Sequence, residues 1–421
     1  MKLLVRPLLC ALLAGAAWAQ EKPDPDQRMA DLERRLEALS RELESLKTGS
    51  AAPALTEEGR FGLGASASKV YGAAPGLSVG GYGELLYQGK ASTLQSGTHV
   101  GSEKTADALR MVLYTGYKFS ERIVFNAEIE FEHGGFSDEH PEGEAIVEFY
   151  YLDFLLHKAL NLRAGQLLVP MGFVNELHEP PAFLGARRPQ VEQTIIPSTW
   201  HELGVGVHGD LAGGLSYRVY LMNGLNGTRF SARGIADGRQ DGNKAQAQSL
   251  AWTGRLDWTP RNGVLLGGSF YTGNSNQTGT GAALTTTLWD VHAEYRGQGL
   301  QVRGLYAATT NRAAGVAALD PAEPARTVGT QQWGGYLELG YDVLKGSRMA
   351  LVPYVRYERL DTQQAVIPGV TRDLGEDRTL LTAGLAFKPI PQVAVKADWT
   401  RDENHARTGR NQFSLALGYT F

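Results

Sequence analysis

Past its first nineteen residues the chain has no cysteine: Cys10 is the single one in 421 residues. Disulfides and thiolate metal sites are thereby excluded from everything downstream. A basic excess is missing too, with 41 Lys and Arg against 45 Asp and Glu. Nucleic acid is therefore not expected as a partner, because there is no surplus of cations to displace phosphate counterions. Nowhere after the N-terminus do about eighteen apolar residues run together, which excludes helical membrane spans. Glycine, by contrast, is abundant at 51 residues in a chain that is 43% hydrophobic. Many apolar positions combined with many chain reversals disfavour a helical membrane protein. Turn signals and strand-like alternation continue to the last residue, so one large β domain with an N-terminal appendage fits best.

Residues 1–19 read as a secretory signal. Lys2 and Arg6 supply the positive start, Leu8 to Ala17 an apolar stretch too short to span a bilayer, and Ala17-Trp18-Ala19 a small-x-small cleavage site. Cys10 follows Leu9 rather than a small residue and makes a poor lipid-attachment site. The mature chain would begin at Gln20 with 39 basic residues (41 less Lys2 and Arg6) against 45 acidic ones. In residues 20–48, Met29, Leu32, Leu36, Leu39, Leu43 and Leu46 alternate spacings of three and four, placing them on one helical stripe. A short self-associating coiled coil in the periplasm is the functional reading, and a lone amphipathic helix the bland one. Residues 49–76, rich in Ala, Gly and Pro, have no sustained period and read as a linker.

From Leu77 the period changes to two, and residues 77–421 form the main domain. Between Arg122 and Glu132, Ile123, Phe125, Ala127, Ile129 and Phe131 share one face, while Arg122, Asn126, Glu128, Glu130 and Glu132 share the other. A strand charged on one face and apolar on the other separates water from hydrocarbon. The pattern recurs in Leu250, Trp252, Gly254, Leu256 and Trp258, and in Phe413, Leu415, Leu417, Tyr419 and Phe421. Sixteen such segments are predicted, joined by eight long loops and seven short turns. That rhythm predicts an all-β fold, a transmembrane antiparallel β-barrel of about sixteen strands preceded by the helical coiled coil. Aromatics gather at both strand ends: Tyr117, Phe119, Trp258, Tyr295, Tyr341, Phe387, Tyr419 and Phe421 by the short turns, and Trp252, Trp289, Trp333, Trp399 and Phe413 by the long loops. Pro353 falls inside a predicted strand on its lipid face, which predicts a bulge there or a misplaced strand.

With that frame in place, the chain resembles the outer-membrane porins of the phosphate-selective porin O and P type. The resemblance covers residues 77–421 and is most specific over Arg163 to Trp200, RAGQLLVPMGFVNELHEPPAFLGARRPQVEQTIIPSTW, followed by Gly204-Val205-Gly206-Val207. The terminal Phe421 is similar to the signature that barrel-assembly machinery reads. The resemblance implies a sixteen-stranded barrel in the bacterial outer membrane, usually trimeric, with a folded-in third long loop and the N-terminal helix in the periplasm. Independently, the third long loop holds Pro170, Pro180, Pro181, Pro189 and Pro197, which restrict its backbone. It is expected to fold into the lumen and set the constriction through Glu176, His178, Glu179, Arg187, Arg188 and Glu192, with a lid or a subunit contact as the alternative.

Residues opposite the apolar faces are assigned to the lumen. The cations are Arg110, Lys118, Arg122, Arg163, Arg218, Arg255, Arg296, Arg303, Arg356 and Lys396; the anions are Glu128, Glu130, Glu132, Asp257, Asp290, Glu294, Glu338, Asp342, Glu358 and Asp398. Ten against ten predicts weak ion selectivity, and phosphate specificity is not carried over from the resemblance. Small polar or ionic solutes, anions such as phosphate among them, and membrane lipid are the expected partners. No cofactor is needed for diffusion. His178 near Glu176 and Glu179, His201 beside Glu202, and Asp138-Glu139-His140 have ligand chemistry, but no spacing matches a zinc motif. Solvated loop histidines and no metal are expected. No nucleophile and base pair convincingly, so the chain is not expected to be an enzyme. A structural or adhesive barrel tethered by its helix, and more remotely an outer-membrane hydrolase, stay open as alternatives.

Overall fold

The computed structural model describes residues 59–135, 143–319 and 327–421. The signal segment and the heptad helix lie outside the described residues. Each segment of period-two alternation becomes a strand, in chain order β1 (Gly76–Lys90), β2 (Glu103–Ser120), β3 (Ile123–Glu132), β4 (Glu144–His157), β5 (Leu160–Leu168), β6 (His201–Asp210), β7 (Leu215–Asn223) and β8 (Leu250–Arg261). They continue as β9 (Val264–Asn274), β10 (Thr285–Gly297), β11 (Leu300–Asn311), β12 (Gln331–Tyr341), β13 (Ala350–Ala365), β14 (Asp377–Ile390), β15 (Val393–Asn404) and β16 (Gln412–Thr420). Neighbours in sequence pair antiparallel, and β1 meets β16 from Tyr82↔Thr420 to Lys90↔Gln412, so the sheet closes on itself. Closure pairs every strand on both sides, the condition for putting a sheet in lipid. Among the described residues no helix is long and apolar enough to cross a membrane.

The connections alternate between two rims. Long ones run over 91–102, 133–143, 169–200, 224–249, 275–284, 312–330, 366–376 and 405–411, while five of the seven at the other rim are two residues long. The wall has the predicted sidedness. In β16, Phe413, Leu415, Leu417 and Tyr419 are exposed while Ser414, Ala416, Gly418 and Thr420 are buried. Both aromatic bands lie on the outside, through Tyr117, Phe119, Trp258, Tyr341 and Phe421 at the short-turn rim and Trp252, Trp289, Trp399 and Phe413 at the other.

Two expectations need correction. Pro353 causes no bulge: β13 passes it in unbroken register with β14 (Pro353↔Leu385), and pairing with β12 ends one residue away at Gly340↔Tyr354. Leu351 points its N–H to the β12 side, where it meets Asp342 rather than a ladder partner. Pro353, two residues on, faces the same way, so its missing donor falls where β13 has outrun its neighbour. The segment read as a linker is, from Arg60 to Ala74, packed inside the wall around a four-residue helix, Lys69–Gly72. Leu63, Ala67, Val70 and Tyr71 are buried in one cluster with Val112, Tyr151 and Phe149. Small residues on the inner wall make this possible: a Cβ at Gly116 would lie 2.6 Å from Val70.

Candidate functional site: a loop across the barrel interior

A loop inside a barrel has no ladder to satisfy its backbone, so inward side chains must supply the partners. The third long loop, residues 169–200, is held in that way at points around the wall. On the β14–β15 side, Lys396 Nζ donates to the carbonyls of Pro180 (2.7 Å) and Gly185 (2.9 Å), Lys388 Nζ to Pro181 (2.8 Å), and the Ala186 N–H to Asp398 (2.7 Å). Glu358 on β13 accepts the Val191 N–H at 3.1 Å, and Asp290 on β10 accepts the Gly172 N–H at 3.1 Å. Arg255 on β8 donates to the Gly172 carbonyl. Within the loop, Asn175 bridges the carbonyls of Val169 (2.6 Å) and Trp200 (2.9 Å), tying its two ends together. An apolar side that includes Val169, Met171, Val174, Val191, Ile195, Ile196 and Trp200 packs into the interior cluster.

The six residues expected to form the constriction separate into two groups. Glu176, His178, Glu179 and Glu192 are buried struts. Glu176 pairs with Arg218 at 3.3 Å. Glu192 accepts the Phe173 and Val174 N–H groups at 2.6 and 2.8 Å and the Tyr336 hydroxyl at 2.6 Å. Burial raises the Glu192 carboxyl above the usual carboxylate range, and these donors pull it partly back. Glu179 accepts the N–H groups of Ser66 (3.0 Å) and Ala67 (2.9 Å), joining the loop to the inner N-terminal segment. Burial pushes its carboxyl up to about 7, against those two donors. His178 is 2% exposed, which overturns the expectation of a solvated loop histidine.

Arg187 and Arg188 behave otherwise. Both border a cavity of about 400 Å³ whose other walls include Lys90, Arg356, Glu358, Glu376, Arg378, Asp402 and Arg410. Most of those charges cancel: Arg356 pairs with Glu338 and Glu358, Arg378 with Asp402, and Lys90 and Arg410 with Glu103. Among the described residues neither Arg187 nor Arg188 has a carboxylate partner, and Arg188 Nε and Nη2 are buried without any hydrogen-bond acceptor. Arg187 opens to the cavity but is crowded by protein elsewhere. That desolvation, followed by the Arg378 and Arg110 cations, lowers its proton affinity.

The predicted lumen residues Arg110, Lys118, Glu128, Glu130, Arg163, Arg218, Arg255, Arg303, Arg356 and Lys396 do point inward, yet most are buried in pairs rather than lining open space. Arg163 meets Asp153 at 2.8 Å, Arg218 and Arg255 both meet Asp257 at 2.7 Å, and Arg303 meets Glu294 at 2.6 Å. Arg122 is a correction: it sits exposed in the two-residue turn between β2 and β3, where alternation no longer applies. Two inward groups went unnoticed in the sequence. Asp153 accepts from Tyr71 (2.7 Å) of the N-terminal segment as well as from Arg163, and lies 2.8 Å from His208. Glu148 is the extra residue of a β-bulge: Glu128 pairs with Phe149 and Ile129 with Val147, so Glu148 turns inward next to an inward neighbour. Strict alternation cannot find such a residue.

The closed wall, its apolar outside and the internal loop define the porin type of barrel. Three solved structures share this fold, all at identities too low to show more than architecture. Salmonella typhi OmpF in complex with daunomycin matches at TM-score 0.56 and 11% identity, over 82% of this chain and 97% of that one. The outer-membrane channel DcaP of Acinetobacter baumannii matches at 0.54 and 11%, over 82% and 97%. The anion-selective porin from Comamonas acidovorans matches at 0.52 and 9%, over 82% and 99%. No family model matches the chain. It belongs to one family with an uncharacterized protein of Aquifex aeolicus (strain VF5), to which it is 35% identical over 372 residues, 86% of this chain and 83% of the relative.

Proposed function

We propose that the protein is a porin of the bacterial outer membrane, a passive diffusion channel for small polar or ionic solutes whose constriction is set by the third long loop. The observation that carries this reading is the unneutralised pair Arg187 and Arg188 at the cavity between the loop and the wall. Sites that need only shape and charge perform no chemistry, and unpaired guanidinium groups in a narrow aqueous space favour anions. Counting all inward charges as equals predicted weak selectivity. Pairing removes most of the charges that border the cavity, and what remains there, Arg187 and Arg188 against Glu376, is positive, so the channel is anion-preferring. Phosphate is one such anion, in keeping with the resemblance to the O and P type porins. The resemblance and the aliphatic stripe of residues 20–48 support a homotrimer with that helix in the periplasm.

The test is reversal potential in a potassium chloride gradient across a planar bilayer holding the purified protein. Discrete conductance steps with a reversal potential on the chloride side are expected. A potential on the potassium side would overturn the anion preference. A second reading has an observation of its own, since residues 60–74 take up interior space along β1 to β6. A barrel sealed by that segment would insert without conducting, as a structural or adhesive protein would.

A further inference from the structure

Between the loop and the wall, apart from the cavity, the structure buries more acid than base. Glu128 and Glu130 on β3 and Glu148 on β4 are each no more than 3% exposed. Arg110 pairs with Glu130 at 3.0 Å but also with Glu84 and Glu132, leaving Glu128 and Glu148 to be matched by something else. The group facing both is His178 of the loop, whose Nε2 lies 3.1 Å from Glu128 Oε1 and 3.6 Å from Glu148 Oε2. His178 Nδ1 lies 3.1 Å from the Asn175 carbonyl. A carbonyl oxygen only accepts, so Nδ1 carries the proton and Nε2 is the atom turned toward the carboxylates. Glu128 Oε2, Glu148 Oε2 and the Tyr82 hydroxyl are buried here with no hydrogen-bond partner. Orphaned acceptors this deep are costly unless a cation meets them.

We propose that Glu128, Glu148 and His178 bind one divalent cation of the first transition row, with Zn²⁺ as the reference ion, and that this ion fastens the third long loop to the barrel wall. One imidazole nitrogen with two carboxylate oxygens suits such an ion and suits Ca²⁺ or Mg²⁺ poorly. Ligand bonds near 2.1 Å in a tetrahedron put ligand atoms roughly 3.4 Å apart. The contacts from Nε2 straddle that value, and all three donor atoms lie within 4.8 Å of one another. Both outer supports of a ligand set are present. The Asn175 carbonyl fixes the tautomer of His178, and the Thr199 hydroxyl donates to Glu148 Oε1 and holds that carboxylate in place. A doubly charged ion also balances the two carboxylates that Arg110 leaves unmatched. The bulge in β4 has a use in this arrangement, since without it Glu148 would face lipid. The ligands come from two strands and a loop, so no sequence spacing announces them.

The experiment uses the full mature protein folded in detergent, stripped with a chelator, dialysed against Zn²⁺ and analysed for metal by mass spectrometry. About one ion per chain is expected, along with the visible absorption of a tetrahedral nitrogen and oxygen site when Co²⁺ replaces Zn²⁺. His178→Ala and the near-isosteric Glu148→Gln should each lower the bound metal at least about tenfold, while His201→Ala should keep it. Heat-modifiable migration in detergent gels shows which samples are folded, and the wild-type stoichiometry alone decides the matter if a variant does not fold. Folded wild-type protein without metal would overturn the proposal, leaving the contact between His178 and Glu128 as the fastening of the loop there. Full metal content in both variants would overturn it as well, by placing the ion elsewhere.

Discussion

Arg187→Gln isolates the charge on which the anion preference depends. The side chain opens to the cavity and has no carboxylate partner among the described residues, so its loss disturbs little packing. For an ion passing about 5 Å away in water-like dielectric, one unit charge is worth about 0.8 kcal/mol. A Debye length of about 10 Å at 0.1 M salt trims this to roughly 0.5 kcal/mol. The charge attracts chloride and repels potassium by that amount. Removing it should therefore lower the chloride-to-potassium permeability ratio about fivefold at 0.1 M salt, and by less as salt rises. Reversal potentials of wild type and variant in the same gradient measure the ratio, and single-channel conductance shows whether the pore is otherwise intact. A change smaller than about twofold would mean that ions do not pass Arg187, and the assignment of the constriction would fail with it.

Glu179 makes the loop's hold on the N-terminal segment pH-dependent. Its carboxyl is raised from 4.5 to about 7 in the folded protein, so the favourable contribution is complete below pH 4.5 and is lost as pH rises through 7, on the order of 3 kcal/mol. Limited proteolysis of residues 59–75 should accordingly be slower at pH 5 than at pH 8, and Glu179→Gln should remove the difference. Glu192→Ala leaves the buried Phe173 and Val174 N–H groups without an acceptor, at roughly 1–3 kcal/mol each. Open-channel noise and protease cutting within residues 169–200 should both increase; an unchanged loop would refute the strut role. Gly116→Val places a side chain where 2.6 Å separates an added Cβ from Val70, costing about 1–3 kcal/mol. Faster cleavage of residues 59–75 from an otherwise folded barrel is expected. On the outer wall, exposed Leu256→Arg should lower unfolding stability in lipid by about 2–4 kcal/mol, and a neutral effect would deny that this face meets acyl chains.

Arg122, which was misplaced, and Glu148, which was missed, show where reading by alternation stops. Arg122 follows the parity of β3 in the sequence but belongs to the turn before it, where parity carries no direction. Glu148 lies inside a strand but at a bulge, where parity slips by one. Charge reading failed for a related reason. Ten cations and ten anions were assigned inward, and which of them remain free depends on distances across the barrel, such as the 3.0 Å between Arg356 and Glu338.

Local order needed nothing beyond the chain itself: the sixteen strands, the two rims, the outward apolar face and the proline-stiffened third loop are short-range periodicities, and lipid outside with water inside imposes period two on every strand. Barrel closure then brings together residues far apart in the chain, and that is where the functional groups were decided. The inward packing of residues 60–74, the burial of Glu176, Glu179 and Glu192, the freedom of Arg187 and Arg188, and the meeting of Glu128, Glu148 and His178 all depend on which side chains face one another across the interior. A one-dimensional pattern records the face of a strand on which a charge lies, but not the partner it will meet there.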